Sequence, residues 1–398
     1  MPPAAAPLSA GDLFRGIIGM VGVENTRKLE NEMREYFGSE YVFLVSSGKA
    51  AFALILRGLS SLRPRKKVLI PAYTCYSVPS AIVKCGLEIV LCDVDPDTLD
   101  FDYDQLADLA DESILCIVST HLFGIPADVA RVRGICEQKG IFLVEDAAQA
   151  MGGEDSGGKL GSLGDVGFFS LGRGKAITCG SGGIILTSTR EIAESIRPFY
   201  RNLEKEPVKE YTRDIVETFF MKIFLNPYLY WLPKGLPCLG IGETRFDPVF
   251  PMYHLNPFQA GVLRSWRARM EEYNGCRERN GRFYAEELEL RKAWSMYSRD
   301  LPYLRFPLYA GTPESKAEAC RRFGSFGVSP MYPDSLNRID QLREMLAGRE
   351  CPGAERIAGT LITLPTHVLL KRKDLETICE NMKRTHDRRG NRRCSLAG

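Results

Sequence analysis

The sequence predicts an α/β protein, with one large domain built on a seven-stranded, mostly parallel sheet and a smaller C-terminal α+β domain. Three observations carry this expectation. Short apolar, β-branched runs recur up to Arg190; helix-like stretches separate most of the earlier ones; and beyond Arg190 the pattern gives way to an irregular region and then a long helix.

Taken in order, YVFLVSS (41–47) is a strand that runs through Ser46, Ser47 and Gly48 into the amphipathic stretch GKAAFALILRGLSSL (48–62). KVLIPA (67–72) and EIVLCDV (88–94) are continuous apolar runs, as expected for strands covered on both faces. ILCIVST (114–120) and IFLVEDA (141–147) flank the helical PADVARVRGICEQKG (126–140). VGFFSL (166–171) and GGIILTS (182–188) are joined by a loop rather than a helix, which allows one antiparallel strand. An aromatic insertion occupies about 205–250. From Asn256, an N-cap with Pro257 at the first helical position, one long helix is expected. The expected division is 1–255 for the large domain and 256–398 for the connecting helix and small domain, with a basic tail that frays.

A chain of 398 residues is long enough for more than one domain, and 44% hydrophobic with 26% charged residues is an ordinary globular composition. A net charge of +2 gives no electrostatic case for a nucleic-acid partner. The twelve cysteines are scattered without a C-x-x-C pair, and Cys92 and Cys116 lie inside strand patterns; they read as free thiols in a reducing, cytoplasmic compartment. The four histidines (His121, His254, His367, His386) show no metal-ligand spacing, so no metal is expected. The opening MPPAAAPLSAGDLF lacks a basic region followed by an apolar run and is not read as a secretory signal. The aromatic stretch 216–242 is broken by Lys222, Lys234 and three prolines, a poor spanning helix. Its part from Phe219 to Trp231 is read as a packed dimer arm. The alternative is contact with a membrane surface, which would make the protein peripheral.

Four stretches could carry chemistry. GEDSGGKL (153–160) imitates a nucleotide-binding loop, but Leu160 stands where a magnesium-binding hydroxyl belongs, and it is rejected. VSSGKAAFALIL (45–56) places a helix N-terminus at the carboxyl end of a strand, where an anion can sit on free N–H groups. VEDAAQA (144–150) puts Asp146 at a strand end with Gln149 following; such an acid can cap a helix or pair with a cationic ring nitrogen. In GDVGFFSLGRGKAITCGSGG (164–183), Lys175 stands among glycines with Ser170 five residues before it. A phosphate site, an acid for a pyridinium and a lysine for a Schiff base together are what pyridoxal phosphate (PLP) requires.

These stretches resemble the DegT/DnrJ/EryC1/StrS aminotransferases, PLP enzymes of fold type I that act on keto sugars. VSSGKAAFALIL is similar to the family's S-S-G-T-A-A loop, CDVDPDTLDFD to its D-V-D-x-x-T-L-x-x-D, and HLFGIPADV (121–129) to its H-L-Y-G-x-P-A-D-M. VEDAAQAMGG, GSLGDVGFFSLGRGK, GVSPMYPDSL and ITLPTHVLL resemble four later motifs, so the likeness runs over roughly residues 29–381. It implies that Lys175 anchors the cofactor and carries protons, Asp146 holds the ring nitrogen protonated, and Gln149 contacts the ring hydroxyl. Ser170 and the loop of Gly48, Lys49 and Ala50 would bind the phosphate, and Cys75 or Tyr76 would lie on the ring. His121, Tyr332 and His254 are carried over as substrate contacts. An amino donor such as glutamate, a keto-sugar acceptor, nucleotide- or lipid-linked, and a homodimer with a shared active site are also implied.

The sequence departs from the family pattern at several of these places. Lys49 replaces a threonine, Cys75 an aromatic residue and Ser181 an acid, while Met252 and His254 replace an asparagine and an arginine. A sugar-dehydrating branch has lost the lysine, so Lys175 argues against it. Another PLP reaction, dehydratase or lyase, and a non-catalytic binding descendant remain the alternatives.

Overall fold

The computed structural model describes residues 1–20, 24–225, 245–290, 295–297, 300–346 and 348–387. Seven strands form the main sheet: β1 Tyr41–Val45, β2 Lys67–Pro71, β3 Glu88–Cys92, β4 Ile114–Thr120, β5 Phe142–Asp146, β6 Val166–Ser170 and β7 Gly183–Thr187. Their spatial order is β1-β7-β6-β5-β4-β2-β3. Strands β2 to β6 pair in parallel, and β7 runs antiparallel to both β6 and β1, as the loop connection allows.

Alternate side chains of these strands feed opposite faces. Val68, Ile70 and Val118 pack under α3 (Gly48–Leu62), α4 (Ser77–Lys84) and the later α7 (Arg190–Arg201). Leu69, Ile117 and Leu143 pack under α5 (Tyr103–Leu109) and α6 (Val129–Lys139). Leu44, Phe169 and Ile184 meet α1 (Ala10–Gly19) and α2 (Glu24–Phe37) on that second face. Parallel pairing aligns the carboxyl ends of β4, β5 and β6, so Thr120 lies opposite Asp146 and Asp146 opposite Phe168. The rejected nucleotide-loop imitation is a short hairpin, with Lys159 paired to Glu154 at 3.0 Å.

The helix expected from Asn256 is interrupted. Asn256 forms a capping box with Gln259 and Pro257 opens α9 (Pro257–Val262), but a 3₁₀ turn at Leu263–Ser265 precedes α10 (Trp266–Glu287). The buried Arg269 guanidinium donates to Val262 O at 3.0 Å, taking the carbonyl that the Trp266 N–H would otherwise use; that N–H turns to Leu263 O. Beyond α10, β8 (Arg305–Tyr309) and β9 (Leu361–Pro365) form an antiparallel pair with α11 (Pro313–Phe323), α12 (Pro352–Thr360) and α13 (Arg372–Asp387) around it. Phe306 and Leu364 of this part share one apolar cluster with Ile70 and Phe52 of the large sheet. Asp93 fastens the two parts, accepting the Gly353 and Ala354 N–H groups at the start of α12, both at 2.8 Å.

Of the aromatic insertion, α8 (Val208–Phe224) is described and 226–244 lie outside the described residues, Trp231 among them. Among the described residues, no helix is long and apolar enough to cross a membrane.

Residues 2–7 are packed against the C-terminal half. His367 Nε2 donates to Pro2 O at 2.9 Å, Arg277 Nη2 to Ala5 O at 3.3 Å and Tyr273 Oη to Pro7 O at 2.7 Å. Burial, followed by the nearby positive charges, pushes His367 down to about 4. A histidine held neutral in the fold contributes stability above its unfolded value, near 6.5, and loses it as pH falls towards 4. That loss amounts to about 3 kcal/mol. Thermal melts at pH 7 and pH 5 should show the wild type losing more stability than His367→Gln; parallel curves would show that His367 is not the group responsible.

Candidate active site

The carboxyl ends of β4 to β6, the start of α3 and the loop after β6 meet at one edge of the sheet. Asp146, the last residue of β5, is fully buried; its Oδ1 accepts the Ala148 N–H at 3.0 Å, and Oδ2 has no partner among the described residues. Burial pushes its carboxyl pKa up, and the Lys175 charge and the Ala148 N–H pull it partly back. Lys175 is half-buried, and among the described residues its Nζ makes no hydrogen bond or ion pair. Its amine is therefore structurally uncommitted and electrostatically coupled to Asp146. Beside Asp146, the Thr120 hydroxyl is buried without a partner.

Ser47 caps α3, its Oγ accepting the Ala50 N–H at 3.1 Å, while the first-turn N–H groups of Gly48 and Lys49 have no acceptor within the helix. Gly48 abuts Ser170 so closely that a Cβ on it would lie 2.8 Å from the Ser170 Cβ. The start of α3 and Ser170 thus form one cradle suited to an anion. Gly48→Ala should force them apart, at about 1–3 kcal/mol of overpacking, and weaken cofactor retention. A PLP titration unchanged from wild type would show that the close approach is unimportant. The glycines after Lys175 serve a different purpose from making room for a ligand: a Cβ on Gly183 would lie 2.3 Å from Ser47 O, so Gly183 lets that loop close on the cradle.

The structure brings together Asp146, Gln149, Lys175, Gly48, Ala50 and Ser170, and gives other expected residues other work. Gln149 donates Nε2 to Tyr332 Oη at 2.8 Å and accepts the Phe123 N–H at 3.2 Å, so Tyr332 reaches the site through Gln149. His121 is placed out of reach of substrate: it is fully buried, Nδ1 accepts the Ala127 N–H at 3.1 Å, and Nε2 donates to Glu145 at 2.8 Å. Glu145 also accepts the Gly161, Leu163 and Gly164 N–H groups, so the pair braces the floor of the site. The Lys49 amine turns away to Asp247 at 3.8 Å and the Phe250 ring at 4.6 Å, leaving only its backbone at the cradle. Tyr76 is a strut, its hydroxyl donating to Asp334 O and accepting the Asp334 N–H, next to the half-buried Cys75. His254 is exposed and packs edge-on against Tyr200 at 4.5 Å, and its backbone bridges to Val45 at the end of β1. Ser181, in the place of the family's acid, donates its hydroxyl to Ser46 O and ties the lysine loop to β1.

These residues fit PLP. A buried carboxylate with an open oxygen suits a protonated ring nitrogen, the capped helix start with Ser170 suits a phosphate, and the uncommitted amine suits covalent attachment. A profile of the DegT/DnrJ/EryC1/StrS aminotransferase family matches residues 15–383. The chain belongs to that family. The L-glutamine:2-deoxy-scyllo-inosose aminotransferase of Streptomyces fradiae is 31% identical, covering 86% of this chain and 81% of its own. The UDP-N-acetyl-3-dehydro-alpha-D-glucosamine 3-aminotransferase of Acidithiobacillus ferrooxidans is 24% identical over 90% and 88%. Among solved structures, the sugar aminotransferase CalS13 of Micromonospora echinospora superposes with a TM-score of 0.75, at 22% identity over 96% and 99%. As a DegT/DnrJ/EryC1/StrS member the protein is an aminotransferase and PLP is its cofactor.

Sequence reasoning missed two features of this DegT/DnrJ/EryC1/StrS site. Thr120 had the same signal as Asp146, the last position of a parallel strand. The basic residues Arg277 and Arg305 near the lysine loop come from a helix and a strand far along the chain, and nothing local marks them.

Proposed function

We propose that the protein moves an amino group from an amino acid, glutamate or glutamine, to the ketone of a sugar or cyclitol carried on a nucleotide or lipid. The carrying observation is the buried Asp146 coupled to an uncommitted Lys175 beside the Gly48–Ser170 cradle. The names of the relatives support the substrate class. PLP, when bound, supplies the aldehyde that accepts the amino group and a ring that withdraws electrons. Asp146 would pair with the protonated ring nitrogen, keeping that proton in place and compensating the burial of the carboxylate. The α3 start and Ser170 would hold the phosphate and so fix the orientation of the ring. The Lys175 amine would take a proton from one carbon and return it to another.

Absorbance of the PLP-loaded protein before and after glutamate or glutamine, with borohydride trapping and peptide mapping, tests the reading. Label on the Lys175 peptide and donor-dependent bleaching support it. A spectrum that no amino acid changes overturns it.

The free thiols of the described cysteines support a cytoplasmic setting. Phe14, Ile17 and Ile18 of α1 and Val216, Phe220 and Ile223 of α8 are exposed, and Lys222 of α8 reaches Leu8 O at 3.4 Å. We read this apolar surface as part of a homodimer contact, with a membrane surface as the competing occupant. Phe220→Glu should shift the dimer towards monomer in sedimentation. A monomeric wild type that floats with liposomes would favour the membrane.

A further inference from the structure

The lysine loop, residues 171–182, is closed by its own backbone. The Leu171 N–H is bound by Gly182 O at 2.8 Å, and Leu171 O accepts the Cys179 N–H at 3.2 Å and the Thr178 hydroxyl at 2.8 Å. Lys175 stands midway between Leu171 and Cys179, the two sides of that neck. Because its amine makes no hydrogen bond or ion pair among the described residues, where it stands is set by the loop backbone.

The insertion supplies what holds that backbone from outside. On the inner face of α8, Tyr211, Ile215, Thr218 and Met221 recur at helical spacing. Met221 and Ile215 share one apolar cluster with Ala176, Ile177 and Cys179, which follow Lys175 in the loop. At the neck, Gly180 has a φ of 96° and meets the buried Thr218 so closely that any Cβ on it would run into the Thr218 hydroxyl. That hydroxyl donates to Asp214 O at 2.6 Å within α8 and lies 3.4 Å from Cys179 O. Before Lys175, Arg173 faces Glu217 of α8 at 3.8 Å. The helix is itself fixed away from the loop: Asp214 accepts Gln259 Nε2 at 2.9 Å, and Glu206 accepts Asn256 Nδ2 at 3.0 Å. Both carboxylates thus grip the capping box that opens α9. None of these contacts uses the exposed outer face of Val216, Phe220 and Ile223.

We propose that α8 is a brace that positions Lys175, with Thr218 as the positioning residue that sets the neck of its loop. The inference rests on the reading of Lys175 as the residue that takes the cofactor, and it gives the insertion a part in the chemistry. A reacting group misplaced by about 1 Å loses on the order of 100-fold in rate. A shifted neck should therefore slow the reactions of the amine more than it weakens binding of the molecules that reach it.

Amide exchange across residues 171–182 of the ligand-free protein reads the brace without any cofactor. Thr218→Leu, which drives a larger side chain against Gly180, should speed exchange there about 10–100-fold and leave β4 and β5 as in wild type. Thr218→Ser, which keeps the hydroxyl, should stay near wild type. The second readout is attachment of added PLP, in which the Lys175 amine condenses with the aldehyde and water leaves. In Thr218→Leu the limiting rate at saturating PLP should fall about 10–100-fold, while the PLP concentration that gives half of it stays as in wild type. A folded Thr218→Leu with unchanged exchange overturns the proposal. One with faster exchange and an unchanged limiting rate overturns it too, because α8 would then only stabilise the loop. Should the variant not fold, the surface pair decides: Glu217→Arg should speed loop exchange about 2–5-fold, and adding Arg173→Glu should restore it. A Glu217→Arg protein that exchanges like wild type overturns the proposal equally. Neither readout needs turnover, so an absence of transamination would count against the proposed function and not against the brace.

Discussion

Lys175→Ala is expected to lower turnover by at least about 10²–10⁴-fold, the worth of a positioned proton carrier, and to abolish borohydride labelling. The fold should survive. Lys175 is half-buried and its amine makes no hydrogen bond or ion pair among the described residues, so its removal breaks no contact and only takes a compensating charge from the buried Asp146, which can take up a proton instead. Circular dichroism and melting close to wild type, with activity gone, is the expected pair of results. Partial rescue by a small primary amine would locate the lost function in the amine itself. A variant turning over near the wild-type rate would remove Lys175 from the chemistry.

Asp146→Asn should act on activity and stability with opposite signs. Turnover should fall by about 10²–10³-fold, because a neutral amide cannot hold the ring nitrogen protonated. Stability of the ligand-free protein should be unchanged or raised. Burial lifts the Asp146 pKa in the fold, so the unfolded chain ionises first as pH rises. The ionised carboxylate therefore costs stability above its unfolded value near 3.8, and the cost is complete once pH passes the folded value. Asparagine removes that cost and can still accept the Ala148 N–H. Melts at pH 7 without and with PLP test both parts: added PLP should raise the wild type more than the variant. A ligand-free variant that melts well below wild type would show that the carboxylate is structural.

Much of this site was legible because strand ends are local features. Asp146 and Ser170 each close a parallel strand, Gly48 opens the helix after another, and Lys175 follows within one loop; backbone topology alone brings them to one edge. What escaped depended on side chains meeting across the fold. His121 has the same strand-end position as a ligand contact, yet Glu145 and Ala127 occupy both of its nitrogens. The backbone of Lys49 is where it was expected, and its amine is claimed by Asp247 and Phe250 from the far side of the insertion. The break after Val262 follows from one guanidinium, that of Arg269, taking one carbonyl. Periodicity cannot show these exchanges.

The docking of residues 2–7 also orders events in time. Their carbonyl partners, Tyr273, Arg277 and His367, emerge from the ribosome after most of the chain, so this stretch must wait, solvated and exposed, while the parallel sheet assembles. Its closure is expected late in folding, after those partners are in place. A protease added to a partly unfolding sample should cut there before the sheet opens, and amide exchange at Ala5 and Ala6 should report that opening on its own.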